Sequence, residues 1–522
     1  MIKGIHYDEA LKRYQRDKEH TLPEMSELLR DYHPDYYQGS VVELRVGTNK
    51  GDPCHRQLAE MLEADARIDE ADLAGGSIKE TNILVIGGGG AGCAAALTAA
   101  RHGASVILAT KLRLGDSNTV MAEGGIQASI EPDDTPQAHY DDTLRSGHHT
   151  ADKELVAAMV MEAPDVIRWL IKEGMQFDVN EFGDLLTRRP GGASADRVVY
   201  YRDYTGLEMM RVLREAVSNS NIEVWDHCPA VELLSSETGH CAGAVLYSLK
   251  EQAYKMIKAK AVILATGGIG RMHLNNFPTT NHFGATGDGL VLAYRLGAKL
   301  RDLDSFQYHP TGVAYPAHLA GTLITEGIRS AGVQILNGVG ERFVDELKPR
   351  DYVSAAILRE CAEGRGILAD EKTIGVWLDT PNMERRDPGM MKKRFPKLFQ
   401  VAKRGDLDPT KTPMLVYPAL HYQNGGIVIN EYGQTTLPGL YSVGEVSGGI
   451  HGRNRLMGNA LLEIICFGRR AGNKAVETMK TRGHKKSGIE HLSRLRRELT
   501  RANLPMNVKS PMLFPTCANF EL

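Results

Sequence analysis

The pattern of apolar and polar positions predicts a βαβ unit that begins near residue 80. Residues 82–86 are almost wholly apolar, as expected of a strand buried on both faces of a parallel sheet. Four glycines follow, the small residues of 91–102 predict a helix, and the apolar run 104–110 predicts the next strand. A further strand is predicted where 260–270 passes from apolar residues into glycines. The pattern therefore indicates an α/β fold.

The segments on either side of this region are more irregular. Residues 1–78 are broken by prolines and glycines and predict short helices and loops. From Leu58 an apolar spacing of three and four residues, with acidic residues as far as Asp72, predicts an acidic amphipathic helix. Basic residues from 480 to 501 predict a second charged helix. Such charges belong either to solvated faces, which is the usual case, or to docking surfaces for a partner.

Composition narrows the class of protein. A chain of 522 residues with 42% apolar and 24% charged residues is typical of a globular protein of two to four domains. The 62 basic residues nearly balance 65 acidic ones, so no overall basic field favours nucleic acid or an anionic membrane. The 54 glycines exceed the usual fraction of about 7%. Glycine turns of a cofactor-binding fold would account for that excess.

The cysteines and the first residues bear on compartment and cofactors. Seven dispersed cysteines without a CxxC spacing predict no c-type haem, no cysteine-ligated iron-sulfur cluster and no metal site in this chain. An odd, dispersed set is typical of a reducing compartment, and charges every few residues near Met1 exclude a signal peptide. We therefore expect a cytoplasmic protein. Residues 81–100 carry no charge, but their glycines favour a turn over direct membrane insertion.

A glycine motif predicts a dinucleotide site. Gly87, Gly89 and Gly92 form GxGxxG directly after a strand and before a helix. Glycine serves the tight turn, the close approach of a pyrophosphate to backbone N–H groups, and helix-to-strand packing. The second strand ends at Lys111, where a ribose-binding acid would be expected for NAD. FAD is therefore favoured over NAD.

Longer motifs carry a family resemblance. Ten of them follow in order at 117–119, 122–126, 265–268, 286–289, 307–312, 325–327, 349–351, 421–426, 444–445 and 451–456. Over about residues 80–475 the chain resembles the flavoproteins of succinate dehydrogenase, fumarate reductase and L-aspartate oxidase. The resemblance implies a Rossmann-like FAD-binding domain with an inserted α+β capping domain and helical N- and C-terminal extensions. The expected boundaries are 1–78, 79–303, 304–414, 415–475 and 476–522, with the capping domain at 304–414.

The same resemblance implies how FAD would be held. The glycine turn would contact the pyrophosphate, Ala230 would lie near the adenine, and Asp288 and Glu445 would hold polar groups. Gly124, Gly125 and the Asn459 segment would border the isoalloxazine. Membrane-bound relatives attach FAD to a His at the position of Asn118, so non-covalent FAD is expected here. The full implied set is Gly87, Gly89, Ala91, Gly92, Lys111, Ser117, Thr119, Gly124, Gly125, Ala230, Thr266, Gly267, Asp288, Glu445, Asn459 and Leu461.

Reduction of an alkene between two carboxylates needs groups that clamp the carboxylates, a hydride donor and a proton donor. The resemblance implies a clamp made of His309, Thr325, His421 and Arg455. It implies Arg350 as the proton donor. Because the pKa of arginine exceeds 12, such a donor needs a relay that reprotonates it, and Glu326 with Arg329 matches that relay.

Three functions remain open at this point. The favoured one is a fumarate reductase or succinate dehydrogenase-like enzyme that transfers hydride from FAD to fumarate or a similar enoate. The alternatives are an L-aspartate oxidase and an electron-carrying flavin subunit of a larger complex. Met457, Gln423 and Asn424 depart from the family pattern, which leaves the C4 dicarboxylate substrate unspecified. With no second redox cofactor visible, electrons are expected from an external iron-sulfur subunit.

Overall fold

A twisted mixed sheet forms the centre of the molecule, which a computed structural model describes over residues 25–74 and 76–512. Its parallel strands are Ser77–Ile86, Val106–Ala109, Glu223–Trp225, Ala253–Leu264 and Leu440–Ser442. Antiparallel strands extend it on one side, at Cys241–Ser248, Ala230–Ser236 and Ser487–Gly488. The predicted α/β class is confirmed, and the predicted βαβ unit is present with helix Gly90–Arg101.

Close helix packing explains the small residues after the first strand. Helix Gly90–Arg101 lies against helix Asn459–Thr481, and a Cβ added at Gly468 would come 2.8 Å from the carbonyl oxygen of Ala91. A Cβ at Gly472 would come 2.6 Å from the Ala95 oxygen. Only glycine permits these two backbones to lie so close together. The other helices of this part are Asn118–Met121, Pro136–Ser146, Lys153–Lys172, Thr205–Ser218 and Asp288–Leu296.

A second sheet is wholly antiparallel. It consists of Phe306–Val313, Met414–Gln423, Ile374–Leu378, Ile335–Leu336 and Ile367–Leu368. Helices Gly327–Ser330, Arg350–Ala362, Thr380–Arg386, Met390–Arg394 and Pro396–Arg404 accompany it. Small ladders join Leu300–Arg301 to Gly426–Val428 and Ser447–Gly448, and Thr187–Arg188 to Val198–Val199 and Ile126–Gln127.

Three predicted domain boundaries differ from the elements that the structure contains. Strand Ser77–Ile86 crosses 78/79, strand Met414–Gln423 crosses 414/415, and helix Asn459–Thr481 crosses 475/476. The middle case matters for function, because Met414–Gln423 pairs with Phe306–Val313 in the antiparallel sheet. Motif positions mark where chemistry lies, and they carry no information about where hydrogen bonding to a neighbour ends.

The first described residues, 25–74, are built into the core and do not form a separate helical extension. Helices Met25–Tyr32 and Arg56–Leu62 accompany short strands Val41–Glu43, Pro53–His55 and Asp65–Ala66. Leu28, Leu58 and Leu62 are fully buried. Part of the predicted extension, together with Cys517, lies outside the described residues.

The predicted long acidic helix is wrong, because the helix ends at Leu62. Glu63 turns inward and accepts hydrogen bonds from the backbone N–H groups of Arg45 and Val46. Asp65 is buried and pairs with Arg496 at 2.8 Å and with Lys509. The acidic segment and the basic tail therefore neutralise each other in part within one chain, through strand Lys509–Ser510 and helix His491–Arg501.

Residues 81–100 form the end of a strand, a glycine turn and a helix. Among the described residues, no helix combines the length and apolar character that a membrane crossing requires.

Candidate functional site

A large cavity lies between the central sheet and the antiparallel sheet. One part of its lining, here called the glycine wall, is residues 87–91 with Lys111, Thr266 and Asp288. Another part, the arginine wall, is made by His309, Thr325, Glu326, Arg350, His421 and Arg455. The six residues of the arginine wall come from five separate segments that the two sheets and their helices bring together.

The glycine wall depends on the absence of side chains. Gly87 has a φ of +122°, and a Cβ there would lie 2.1 Å from the Ala265 oxygen. Gly92 does not line the cavity. It is packed behind it, where a Cβ would lie 1.8 Å from the Gly87 oxygen. The helix can therefore start directly at the turn, which leaves its first N–H groups facing the cavity, the usual arrangement for binding phosphate.

Lys111 links the glycine wall to the end of the described chain. Its Nζ donates to Thr286 Oγ1 at 2.7 Å, to Asp288 Oδ2 at 2.9 Å and to the backbone oxygen of Met512 at 2.7 Å. Arg67 Nε donates to the Pro511 oxygen nearby. The segment that follows strand Lys509–Ser510 thus runs beside the cavity.

Asn118 connects two regions of the cavity. Its Nδ2 donates to Asn281 Oδ1 at 2.6 Å and approaches Glu445 Oε2 at 3.4 Å, and its Oδ1 accepts from the backbone N–H of His282 at 2.7 Å. Glu445 also accepts from the backbone N–H of Gln423 at 3.0 Å. Burial raises the pKa of Glu445 to about 7, because these uncharged donors do not offset the desolvation of the carboxylate.

Two neutral histidines stand together in the arginine wall. The rings of His309 and His421 are 5.0 Å apart. Burial, followed by the positive charge of Arg350, lowers the pKa of both far below 6.5. His309 Nδ1 accepts from the backbone N–H of Thr311 at 3.2 Å, so the ring proton lies on Nε2. A neutral His309 can therefore donate one hydrogen bond from Nε2.

The predicted relay residues are in contact. Glu326 Oε2 accepts from Arg350 Nε at 2.7 Å and from Arg329 Nη2 at 2.9 Å, and Glu326 Oε1 accepts from the Gly191 N–H at 2.7 Å. Burial works against ionisation of Glu326, yet the neighbouring Arg350 and Arg329 outweigh it and lower its pKa to about 2. Arg350 begins helix Arg350–Ala362 directly after Pro349, which fixes the direction of its backbone.

Gln307 holds the two guanidinium groups of the arginine wall together. Its Oε1 accepts from Arg350 Nη1 and from Arg455 Nη2, each at 3.0 Å. The Arg455 guanidinium also lies 4.3 Å from the centre of the Tyr422 ring. Burial and the charge of Arg350 lower the pKa of Arg455 to about 10, which leaves it charged at neutral pH. Two cations thus share one neutral acceptor.

Most of the predicted site residues line this one cavity. Those that do are Gly87, Gly89, Ala91, Lys111, Ser117, Thr119, Gly124, Gly125, Ala230, Thr266, Gly267, Asp288, Glu445, Leu461, His309, Thr325, Glu326, Arg350, His421 and Arg455. Gly92 and Arg329 lie one layer behind.

Asn459 departs from the predicted position at the border of the isoalloxazine. Its side chain forms a 2.8 Å hydrogen bond with His139 and donates at 3.0 Å to Thr143, and it is fully buried away from the lining. Ala460 and Leu461 line the cavity in its place. At a helix start, consecutive residues point in different directions, which a motif match does not resolve.

Sequence reasoning gave no role to several residues of the site. Gln307 lay within a quoted motif, and its amide could have suggested a partner for arginine. Tyr422 also lay in a motif, whereas Asn281 and Glu123 gave no clear signal. Glu123 pairs with Lys397 at 2.8 Å, and burial raises its pKa to about 7.

The residues present fit a flavin dinucleotide. The glycine wall offers helix N–H groups and no side chains, as a pyrophosphate requires. Thr266 Oγ1 is buried on the lining with no hydrogen-bond partner among the described residues. A buried hydroxyl of this kind is stabilised by a polar ligand group. Lys111 and Asp288 supply a donor and an acceptor beside it.

Comparisons with known proteins agree with this geometry. Residues 82–461 match the family model described as FAD binding domain. The chain is 40% identical over 425 residues to the flavoprotein named as one subunit of the fumarate reductase (CoM/CoB) of Methanothermobacter marburgensis, covering 79% of this chain and 75% of that protein. It is 37% identical over 402 residues to the L-aspartate oxidase of Streptomyces coelicolor, covering 74% and 67%.

Solved structures give the same result. A mutant FrdA chain of E. coli quinol fumarate reductase matches with a TM-score of 0.73 and 31% identity, over 81% of this chain and 74% of that one. These matches confirm the resemblance that the motifs indicated, and they confirm FAD as the cofactor.

Proposed function

We propose that this chain, which belongs to the family of FAD-binding flavoproteins, reduces fumarate or a similar short enoate. It is an FAD-dependent oxidoreductase, as its relatives are. The single observation that carries the proposal is the arginine wall, in which Arg350 contacts both Gln307 and Glu326 while Arg455 contacts Gln307. The relative in Methanothermobacter marburgensis bears the name of this reaction.

The arginine wall suits a small dianion. Arg350 and Arg455 supply two positive charges, and among the described residues only that of Arg350 is matched by a contacting carboxylate, Glu326. A planar guanidinium can bind a carboxylate with two parallel hydrogen bonds. The Nε2 proton of neutral His309 and the hydroxyl of Thr325 add uncharged donors. A dicarboxylate would therefore be held and oriented by charge and direction together.

FAD, held along the glycine wall, supplies hydride when it is reduced. Arg350 would supply the proton to the neighbouring carbon. A neutral guanidine is so basic that it must be reprotonated at once, and Glu326 is in hydrogen-bond contact with Nε of Arg350 for this purpose. Arg329, on the same carboxylate oxygen, holds Glu326 in place and connects it to the backbone of Glu346.

The test is an assay of the purified FAD-loaded protein with reduced viologen and fumarate, with succinate oxidation measured in parallel using an artificial acceptor. We expect fumarate reduction to be the faster direction, because FAD without a covalent histidyl bond has the lower potential. Faster succinate oxidation would overturn the direction, and no turnover of fumarate or other enoates would overturn the function.

L-aspartate oxidase is the second candidate, supported by the similarity to the Streptomyces coelicolor enzyme and by the same carboxylate clamp. It would convert aspartate to iminoaspartate and produce hydrogen peroxide. A peroxide assay with aspartate and oxygen separates the two candidates. A chain that turns over none of these substrates, yet carries electrons, would instead be an electron-carrying flavin subunit.

Non-covalent FAD is part of the proposal, because an amide such as Asn118 cannot form the bond that a histidine forms. Acid precipitation should release all flavin into the supernatant. The Asn118 side chain is engaged with Asn281 and the His282 backbone, which supports a structural role for it. Yellow colour that stays with the precipitated protein would contradict non-covalent attachment.

We also propose a cytoplasmic complex in which an iron-sulfur subunit brings electrons to FAD. The support is that the relative from Methanothermobacter marburgensis is named as one subunit of a larger enzyme. The acidic segment near Asp65 offers less support than its charge suggested, because Arg496 and Lys509 pair with it. Co-purification of this chain from its native host with an iron-sulfur protein tests the complex, and rapid direct reduction by NADH of the lone chain would contradict it.

A further inference from the structure

A chain of hydrogen bonds connects the protein surface to the arginine wall. His148, whose side chain is 29% exposed, contacts Asp351 Oδ2 through Nε2 at 2.6 Å. The other carboxylate oxygen of Asp351 accepts from Asn454 Nδ2 at 3.0 Å. Asn454 Oδ1 accepts from Gln307 Nε2 at 2.8 Å. The chain ends at Gln307 Oε1, the shared acceptor of Arg350 and Arg455.

Each link of this chain fixes the orientation of the next. Asn454 can accept from Gln307 only if its own NH₂ group faces Asp351, and that group also donates to the Ser146 backbone oxygen at 3.1 Å. Gln307 can offer its oxygen to both arginines only if its NH₂ group faces Asn454 and the Arg455 backbone oxygen, which is 2.7 Å away. A flip of either amide would present a donor to a donor.

We propose, on the basis of the proposed function, that His148 is a positioning residue whose protonated form holds Asp351, Asn454 and Gln307 in the arrangement that aligns Arg350 and Arg455. Proton transfer along the route is not involved, because the two amides in its middle do not release and accept protons as carboxylates or imidazoles do. The surface histidine acts on the geometry of the arginine wall from a distance of three side chains.

The charge of His148 matters because its partner is buried. The Asp351 side chain is only 6% exposed, and among the ion pairs that the described residues form, its cationic partner is His148. Loss of the proton from His148 removes the contacting positive charge from a carboxylate in a poorly solvated place. The carboxylate then has reason to turn towards solvent and away from Asn454.

The surroundings of His148 favour its protonated form. Its hydrogen bond to Asp351 raises its pKa above 6.5, with burial and the charge of Arg453 acting in the opposite direction. Arg453 is itself paired with Asp304 at 3.0 Å. Burial lowers the pKa of the nearby His33 to about 4, so that imidazole is neutral at neutral pH. The titratable and charged groups that surround the pair are His33, Asp35, Asp304, Asp351, Arg453 and the adjacent His149.

Three variants test the proposal. His148→Gln keeps a donor for Asp351 and removes the charge, and His148→Lys keeps a charge at all pH values in the assay. His149→Gln is the matched control, because His149 is the next residue, is exposed, and has the same left-handed backbone with φ of +58° against +55°. FAD content and the thermal midpoint are measured for each, so that a folding defect is recognised.

The readout is the pH profile of kcat/KM for fumarate with reduced viologen. We expect the wild type to lose activity as pH rises through the pKa of His148. His148→Gln should lack this limb and be about three- to ten-fold less active below it, which is the size of coupling between contacting groups. His148→Lys should also lack the limb and remain active at high pH. His149→Gln should match the wild type.

A retained limb in His148→Gln, or its loss in His149→Gln, would overturn the proposal. Equal loss of activity in the Lys and Gln variants would also overturn it, because a purely structural role does not distinguish charge. Binding of succinate, followed by the change in flavin absorbance, separates this inference from the function. If neither fumarate nor succinate acts on the protein, the proposed function fails, whereas normal succinate binding with an unchanged pH profile defeats only the role of His148.

Discussion

The glycine wall and the arginine wall of the cavity are held in place by different kinds of contact. The glycine wall consists of backbone and small residues that are close in sequence, and its shape depends on van der Waals contact with Ala265. The arginine wall consists of charged side chains from distant segments, and its shape depends on the hydrogen bonds that Gln307 and Glu326 accept. Substitutions in the first should therefore fail through steric overlap, and those in the second through loss of charge and direction.

The largest effect is expected from Gly92→Ala, directly behind the glycine wall. The added Cβ would lie 1.8 Å from the Gly87 oxygen, and the collision is with backbone that cannot turn aside. We expect a cost above about 3 kcal/mol, the upper end of the usual range for overpacking, with loss of FAD. FAD content and thermal unfolding measure it. Gly483→Ala, where no described atom lies within 4 Å, is the control, and an FAD-loaded, stable Gly92→Ala protein would show that the wall is not built by close contact.

In the arginine wall, Arg350→Lys should remove turnover and leave the cofactor in place. A lysine ammonium cannot contact Gln307 and Glu326 with the planar geometry of the guanidinium. We expect kcat to fall by roughly 10²- to 10⁴-fold, the usual contribution of a general acid, with unchanged FAD content. Arg359→Lys on the same helix is the control. Near-normal turnover would show that Arg350 is not the proton donor.

A smaller effect is expected from Arg455→Lys, which tests whether the two arginines have different roles. The variant loses the hydrogen bond to Gln307 and the contact with the Tyr422 ring. We expect KM for fumarate to rise about ten-fold, equivalent to one charge-assisted hydrogen bond, with a smaller fall in kcat. A change in kcat alone would show that Arg455 does not bind the substrate in its ground state.

The smallest effects concern two carboxylates with opposite surroundings. The folded-state pKa of Glu445 is raised to about 7, so its ionisation lowers stability as pH rises from 4.5 to 7. The folded-state pKa of Glu326 is lowered to about 2, so its contribution is present above pH 4.5 and is lost as pH falls towards 2. Thermal midpoints across these ranges should show that Glu445→Gln gains relative to wild type as pH rises.

Glu326→Gln should show the opposite dependence, losing most relative to wild type above pH 4.5. Its overall stability should also be lower, because Arg350 and Arg329 lose their shared anion. Parallel pH curves for the two variants would contradict the difference in their surroundings.

The two walls also differ in how far sequence predicts them. The glycine wall follows from local pattern, because the strand, turn and helix of 82–102 are consecutive. The arginine wall could be predicted only from motifs, and its connections could not be predicted even so. Asp351 and Asn454 are 103 residues apart, and Gln307 and Arg455 are 148 apart, so no local periodicity records their contact.

The acidic segment shows a different limit. Leu58, Met61 and Leu62 fit helical spacing, and the pattern continued into Glu63 and Asp65. The helix ends because the Glu63 carboxylate binds backbone N–H groups of a distant turn, and because Asp65 enters a short parallel ladder with Lys509. Tertiary contacts here override a local preference, and the charges that suggested a partner are used within the chain.

The crowding of cations in the arginine wall has a consequence for the lifetime of the protein. Arg329, Arg350 and Arg455 are buried near the carboxylate of Glu326, so this part of the fold carries an excess of positive charge. A dicarboxylate that binds there stabilises the folded state by mass action, by about 2.7 kcal/mol at a hundred times its Kd. A chain short of its substrate would unfold and be degraded more readily, so the cellular amount of this protein should follow the supply of the metabolite that it consumes.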